Sequence, residues 1–145
     1  MKKVHIFCDG ACLGNPGPGG WAALLKYGSH EKLVSGGEAD STNNRMELTA
    51  AIEGLRILNE ACHAKITTDS RYVINAFEKG WLDSWHRNGW KTSGKDDVKN
   101  QDLWEELFAL TQRHKVTWEW VKGHSGHPEN EIVDKKAREE AGNLP

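Results

Sequence analysis

The sequence has no excess of positive charge: 19 Lys and Arg stand against 21 Asp and Glu, giving a net charge of −2 and a pI near 6.4. Charge alone therefore does not mark a nucleic-acid binder, whose binding domain is usually basic overall or along one stripe. No apolar run approaches the ~20 residues of a membrane-spanning helix, so no membrane partner is expected. The opening MKKVHIFCDG places only a short apolar run after its two lysines, too short for a signal-peptide core. Cysteine is scarce, and Cys8, Cys12 and Cys62 are an odd number that cannot all pair. Both features suit a reducing compartment, and the expected location is cytoplasmic. There is no linker, repeat or low-complexity tract. One domain over residues 1–145 is expected, long enough to bury roughly 70% of its unfolded surface. Familiar phosphate and zinc signatures are missing too. GNPGPGG at 14–20 has neither the GxGxxG spacing nor the Lys-Ser/Thr ending of a P-loop. Cys8-x3-Cys12 and His124-x2-His127 mimic zinc spacing but lie most of the chain apart, and on a strand Cys8 faces away from its neighbour Asp9.

What is present reads as an ordinary globular pattern, 37% apolar and 28% charged. Residues 3–9 read as a strand, 10–20 as a Gly/Pro-dense connection, and 20–27 and 30–37 as two more strands joined by Gly28-Ser29. Such short links favour an antiparallel meander. STNNRMELTAAIEGLRILNEA (41–61) reads as a helix with Thr42 as N-cap and Leu48, Ala51, Ile52, Leu55 and Leu58 on one face. A fourth strand is expected at 64–68, a helix at about 70–77, another at 100–114, a fifth strand at 116–120, and a last helix ending near Ala141. The fold class implied is α/β, a five-stranded mixed sheet flanked by helices.

That order has a consequence for two acids. Strands one and four should run the same way, each ending in an aspartate, Asp9 and Asp69. Both carboxylates then emerge at one sheet edge, where ligand sites of such folds collect. Two further acids lie on or beside apolar stripes: Asp134 with Val133, Ala137 and Ala141, and Glu47 near the start of the first long helix. Acids on core-facing stripes are costly unless paired or metal-bound. Neighbouring carboxylates resist joint ionisation, and a hard divalent ion, Mg²⁺ or its relative Mn²⁺, resolves the conflict. The competing reading for Asp69 is that it caps the helix that follows. His124, in the loop KGHSGHP, is a candidate proton shuttle; His127 reads as structural. Segment 79–99 carries five Lys or Arg, three Asp and Trp81, Trp85 and Trp90. It is either a stacking and phosphate-contacting surface or a helix packing its tryptophans inward.

Taken together, CDGACLGNPGPGGWAALL, TNNRMEL, TDSRYV, WLDSWHRNGWKT, VKNQDLW and WEWVKGHSGHPENEIVD resemble ribonuclease HI of the bacterial type, in order and spacing, from about residue 4 to 138. The resemblance implies a ribonuclease H-like fold and an endonuclease that hydrolyses the RNA strand of RNA/DNA hybrids, leaving 5′-phosphate and 3′-hydroxyl ends. It implies four metal-binding acids, Asp9, Glu47, Asp69 and Asp134, two Mg²⁺ ions with Mn²⁺ as a substitute, and His124 assisting product release or protonation. Two such ions sit about 3.5–4 Å apart in enzymes of this chemistry. Asn43, Asn44, Glu47 and the backbone around Cys12 match ribose-contacting positions, and 2′-hydroxyl contacts distinguish RNA from DNA. Asn15, Thr42 and Ser84 match a pocket for a DNA phosphate, and Trp81 and Trp85 belong to a substrate-binding handle. A monomer is expected. Three departures stand out: Ser84 where Asn is usual, Arg71 where Gln is common, and Asp96 and Asp97 where Lys and Pro are common. The less basic handle predicts weaker hybrid binding and a shallower salt dependence. The alternatives are a catalytically weak or inactive hybrid-binding module, a strand-transferase or junction nuclease of the same fold, and, from another class, a small zinc-binding adaptor.

Overall fold

The computed structural model describes residues 1–123 and 126–143. Three long strands open the chain: β1 (Lys2–Cys12), β2 (Gly17–Tyr27) and β3 (His30–Ser41). They pair antiparallel, and Gly28, at φ +57°, makes the tight β2–β3 turn that a side chain would strain. Helix α1 (Asn43–Arg56) then returns the chain so that β4 (Cys62–Thr68) pairs parallel with β1. Helices α2 (Arg71–Glu78), α3 (Trp81–Arg87) and α4 (Gln101–Arg113) lead to β5 (Lys115–Trp120), parallel to β4. Helix α5 (Pro128–Gly142) follows. The described residues thus form a five-stranded mixed sheet in the order β3-β2-β1-β4-β5.

The alternation of β1 divides the core between the sheet's faces. Val4, Ile6 and Cys8 pack with Leu48, Ile52 and Leu55 of α1, Ile66 of β4, and Trp104 and Leu107 of α4. Phe7 faces the other way, onto Ala22, Leu24 and the Val133 and Ala137 stripe of α5. Each fully buried Leu or Ile in these layers contributes about 1.5–3 kcal/mol.

Several boundaries depart from the sequence expectation. The stretch 10–20 is mostly strand, with β1 and β2 paired as far as Cys12 and Gly19. Its glycines serve packing as well as turning. A Cβ on Gly19 would meet the Met46 side chain at 2.7 Å, and one on Gly20 would meet the Ala137 carbonyl at 2.1 Å. Helices therefore approach this strand pair closely at bare backbone. Helix α1 ends at Arg56 rather than near 61, leaving Leu58 half-buried beyond it. Strand β3 runs on to Ser41, and the tryptophan-rich segment contains a separate short helix, α3. The tryptophans divide: Trp90 is buried, Trp85 is half-buried against Trp104 with ring centroids 5.5 Å apart, and Trp81 is exposed.

Candidate active site

The parallel register of β1 and β4 runs up to Phe7 opposite Thr67. Two residues further on, the same register brings Asp9 level with Asp69, which follows the last residue of β4. Asp9 itself lies within β1, which runs on to Cys12 rather than ending at the acid as the sequence suggests. Glu47 joins them from the first turns of α1, whose N-terminus Thr42 caps by accepting a hydrogen bond from the Arg45 amide at 3.2 Å. Helix and strand meet without a gap: a Cβ on Gly10 would lie 2.4 Å from the Glu47 amide nitrogen. One oxygen from each of Asp9, Glu47 and Asp69 falls within 4.8 Å of the others, and Asp9 and Glu47 are buried, 6% and 4% exposed. The N-cap reading of Asp69 fails, because the cap of α2 is Ser70, whose hydroxyl accepts from the Val73 amide. Asp69 is left to face the other acids.

Neighbouring groups hold the trio in place. The Gly10 amide donates to Glu47 Oε1 at 2.6 Å, and Thr68 reaches Glu47 Oε2 through its hydroxyl at 3.5 Å. The Asp69 carbonyl accepts the Trp120 indole N–H at 3.0 Å. Gly123 passes so near Asp69 that a Cβ there would be 2.7 Å from its Oδ2. Beneath the acids, the Thr67 hydroxyl donates to Glu119 at 2.9 Å and accepts from His5 Nε2 at 2.7 Å. That hydrogen bond holds the Glu119 carboxyl below its usual range, whereas burial, with Lys65 nearby, lowers His5.

The electrostatics of the trio are unfavourable as they stand. Burial, followed by repulsion from Glu47, pushes the Asp9 carboxyl far above the ordinary carboxylate range. Burial also raises Glu47, although its hydrogen bond with Asp9 partly offsets the effect. The two carboxyls behave as one strongly coupled pair that keeps a proton in the absence of a cation. The donor set is all oxygen, desolvated and anionic, which fits a hard divalent ion rather than zinc. The zinc alternative also loses Cys8, which lies in the hydrophobic core.

Asp134 stands outside the trio but on the same small cleft, about 20 Å³, lined also by Asp9, Asp69, Gly123, His127, Asn130 and Glu131. It lies within hydrogen-bonding reach of Asp9, and its Oδ2 is held by Arg138 one turn along α5, at 2.9 and 3.1 Å. His124 lies outside the described residues. His127, which the sequence marks as structural, lines the cleft, and so do Asn130 and Glu131, which sequence reasoning missed. Their signal is helical spacing, since 127, 130, 131 and 134 share one face of α5.

The expected substrate contacts fall into two groups. Around the start of α1, Asn15 accepts from the Asn43 amide at 3.2 Å, tying the β1–β2 connection to the helix beside Thr42 and exposed Asn44. The half-buried Cys12 thiol points to the carbonyls of Gly17 and Ser41 at 3.3 and 3.5 Å. Separately, Trp81, Ser84 and Trp85 line a groove of about 420 Å³ with Asn88, Lys91, Thr92 and Ser93. Lys91 there is ion-paired with Asp97, across an isolated antiparallel bridge.

A three-strand meander extended by two parallel strands, with a carboxylate cluster gathered where β1 and β4 lie side by side, defines the ribonuclease H-like class of folds. The structure of LC9-RNase H1, a type 1 RNase H with the type 2 active-site motif, aligns over 100% of this chain and 74% of its own, with TM-score 0.88 and 33% identity. LC11-RNase H1, solved in complex with RNA/DNA hybrid, shares the fold at TM-score 0.68 and 16% identity, covering 96% of each chain. The RNase H family profile matches residues 1–142. A ribonuclease H of Thermus thermophilus is 59% identical over 140 residues, 97% of this chain and 84% of the relative. Ribonuclease HI of Neisseria meningitidis serogroup A is 60% identical over 133 residues, covering 92% and 91%. The chain belongs to the RNase H family of nucleases, which degrade RNA in RNA/DNA hybrids.

Proposed function

We propose that this chain is an endonuclease that hydrolyses the RNA strand of RNA/DNA hybrids at the acid cleft, leaving 5′-phosphate and 3′-hydroxyl ends, with two Mg²⁺ ions as cofactor and Mn²⁺ as a substitute. The observation that carries this reading is the trio of buried Asp9 and Glu47 with half-buried Asp69, one oxygen of each lying within 4.8 Å of the others. Bound divalent ions supply charge neutralisation, an acidified attacking water and stabilisation of the leaving 3′-oxygen. Asp9, common to the trio and to the Asp134 side of the cleft, would contribute to holding both ions, with Glu47 and Asp69 on one side and Asp134 on the other. Asp134 would then have to loosen its pairing with Arg138. His124 assists protonation or product release.

Asn43, Asn44, Glu47 and the backbone at Cys12 read the RNA ribose, Asn15, Thr42 and Ser84 hold a phosphate of the DNA strand, and Trp81 and Trp85 form a stacking surface. The protein acts as a cytoplasmic monomer with one catalytic domain.

The test is cleavage of a strand-labelled hybrid beside duplex DNA and duplex RNA, each with Mg²⁺, with chelator, and with Asp69→Asn. Cutting confined to the RNA of the hybrid, and lost with chelator or with the variant, is the expected result. Folded protein that cuts nothing in Mg²⁺ or Mn²⁺ would leave a hybrid-binding module instead.

A further inference from the structure

We propose that Arg71 is a positioning residue for Asp69, acting through the indole of Trp120. Asp69 occupies the step between the last residue of β4 and the Ser70 cap of α2, so its carbonyl belongs to neither a strand ladder nor a helix. The Trp120 indole N–H satisfies that carbonyl at 3.0 Å. Arg71, the first residue of α2, turns back over the same indole with its guanidinium carbon 3.7 Å from the ring centroid, well inside cation–π range. Among the described residues Arg71 has no carboxylate partner, so the ring contact is what holds its head group.

The contacts close a clasp. Arg71 lies two residues after Asp69 in the chain, stacks on Trp120, and Trp120 returns to the Asp69 backbone. The next bond along β5 supports it, with the Val121 amide donating to the Thr68 carbonyl at 3.0 Å. Thr68 in turn reaches Glu47 through its hydroxyl and accepts from the Ser70 amide at 3.1 Å. Two residues beyond Val121, Gly123 lies against Asp69 Oδ2. The clasp therefore sets both the backbone that aims the Asp69 carboxylate and the root of the segment that leads to His124. A side chain without a planar cation leaves the indole free to turn and the carbonyl without its donor.

This inference rests on the reading of Asp69 as a metal ligand, and its first readout, metal binding, needs no nucleic acid. Mn²⁺ alone would be titrated calorimetrically into the wild-type protein, Arg71→Gln, Arg71→Lys, Trp120→Phe and the Arg71→Gln/Trp120→Phe pair, with thermal melts alongside. Hybrid cleavage would separate kcat from KM. Loss of a group that orients a metal ligand costs about 10–100-fold in metal affinity or activity. The expected result is about tenfold weaker Mn²⁺ binding and lower kcat for Arg71→Gln and Trp120→Phe, with KM within about twofold. Arg71→Lys should fall between, because it keeps the charge and loses the planar stack. The double variant should be no worse than Trp120→Phe, since both residues act on one carbonyl. A raised KM with intact Mn²⁺ affinity would make Arg71 a substrate contact and overturn the proposal, as would a lowered melting temperature with unchanged Mn²⁺ affinity. Wild-type protein that binds Mn²⁺ but cuts no hybrid would end the functional reading and leave this one standing. Wild-type protein that takes up no Mn²⁺ would end both.

Discussion

The acid cleft and the tryptophan-rich lobe of residues 79–99 are built on opposite terms. At the cleft the acids are tied to their surroundings: Glu47 by Gly10 and Thr68, the Asp69 backbone by Trp120, and the close packing of the chain by glycines that admit no Cβ. That arrangement carries a charge conflict that costs stability, with two buried carboxyls raised first by burial and then by repulsion, from Glu47 at Asp9 and from Asp69 at Glu47. The lobe stores no such conflict. Its helix α3 has seven residues, its N-cap Gly80 makes no side-chain cap bond, and its groove is open to solvent. Cationic Lys91 is neutralised by Asp97 inside the lobe. The contrast separates two kinds of surface: a preorganised cleft that carries an electrostatic conflict, and an open groove whose charges pair locally.

The sharpest way to break the contrast is Asp9→Asn. It should lower hybrid cleavage by about a thousandfold or more, because a neutral amide removes the charge central to the site. The same change should raise the melting temperature of metal-free protein, by an increment of about 1 kcal/mol or more, since one shifted pKa unit is worth about 1.4 kcal/mol. Gain of stability with loss of activity is the signature of functional strain; a variant less stable than wild type would contradict it. Next in size is Gly10→Ala, whose Cβ would collide with backbone of Met46 and Glu47. A loss of about 3 kcal/mol or more in denaturant unfolding is expected, as overpacking against backbone leaves nothing able to yield.

A third effect is the pH dependence of metal-free stability. Asp9 and Glu47 both bind protons more tightly in the folded state than at their ordinary values of 3.8 and 4.5. The folded state therefore holds more protons than the unfolded one, and stability falls as pH rises. This contribution is fully present below about pH 4 and is lost progressively through neutrality towards the raised folded values. Melts from about pH 4 to 9 should show that slope without divalent ions and a flatter one with Mg²⁺; equal slopes would remove the coupling. The smallest expected effects lie in the lobe. Asp97→Asn frees Lys91 for phosphate and should lower KM about two- to threefold at low salt. The slope of log affinity against log salt should steepen by up to about 0.9. A change in kcat there would blur the division between the two regions.

Much of the cleft is legible in the sequence because its elements are periodic. The apolar runs leading to Asp9 and Asp69 mark two of the strands, although β1 continues past Asp9 to Cys12, and the Leu48–Ile52–Leu55 stripe sets which face of α1 is buried, with Glu47 beside it. Less legible is the role of the glycines: Gly19 and Gly20 read as a turn, yet they are strand positions bared for Met46 and α5. The cap at Ser70 rather than Asp69 is also ambiguous, since both residue types cap helices and only the backbone path decides between them. His127, Asn130 and Glu131 carry no signal beyond their helical spacing, which places them on a face without saying what that face meets.

The sequence by itself determined the order of the main strands and helices, the two parallel strands that bring in Asp9 and Asp69, and the family motifs, because hydrophobic periodicity and local turn chemistry are properties of neighbouring residues. The tertiary structure alone decided that the β1–β4 register sets Asp9 opposite Asp69, that Glu47 reaches both across a glycine contact, and that Trp120, with Arg71 over its ring, fastens the Asp69 backbone. Those are contacts between residues tens of positions apart. They exist only once packing has brought the chain together, and the same burial that creates them sets the charge of the site.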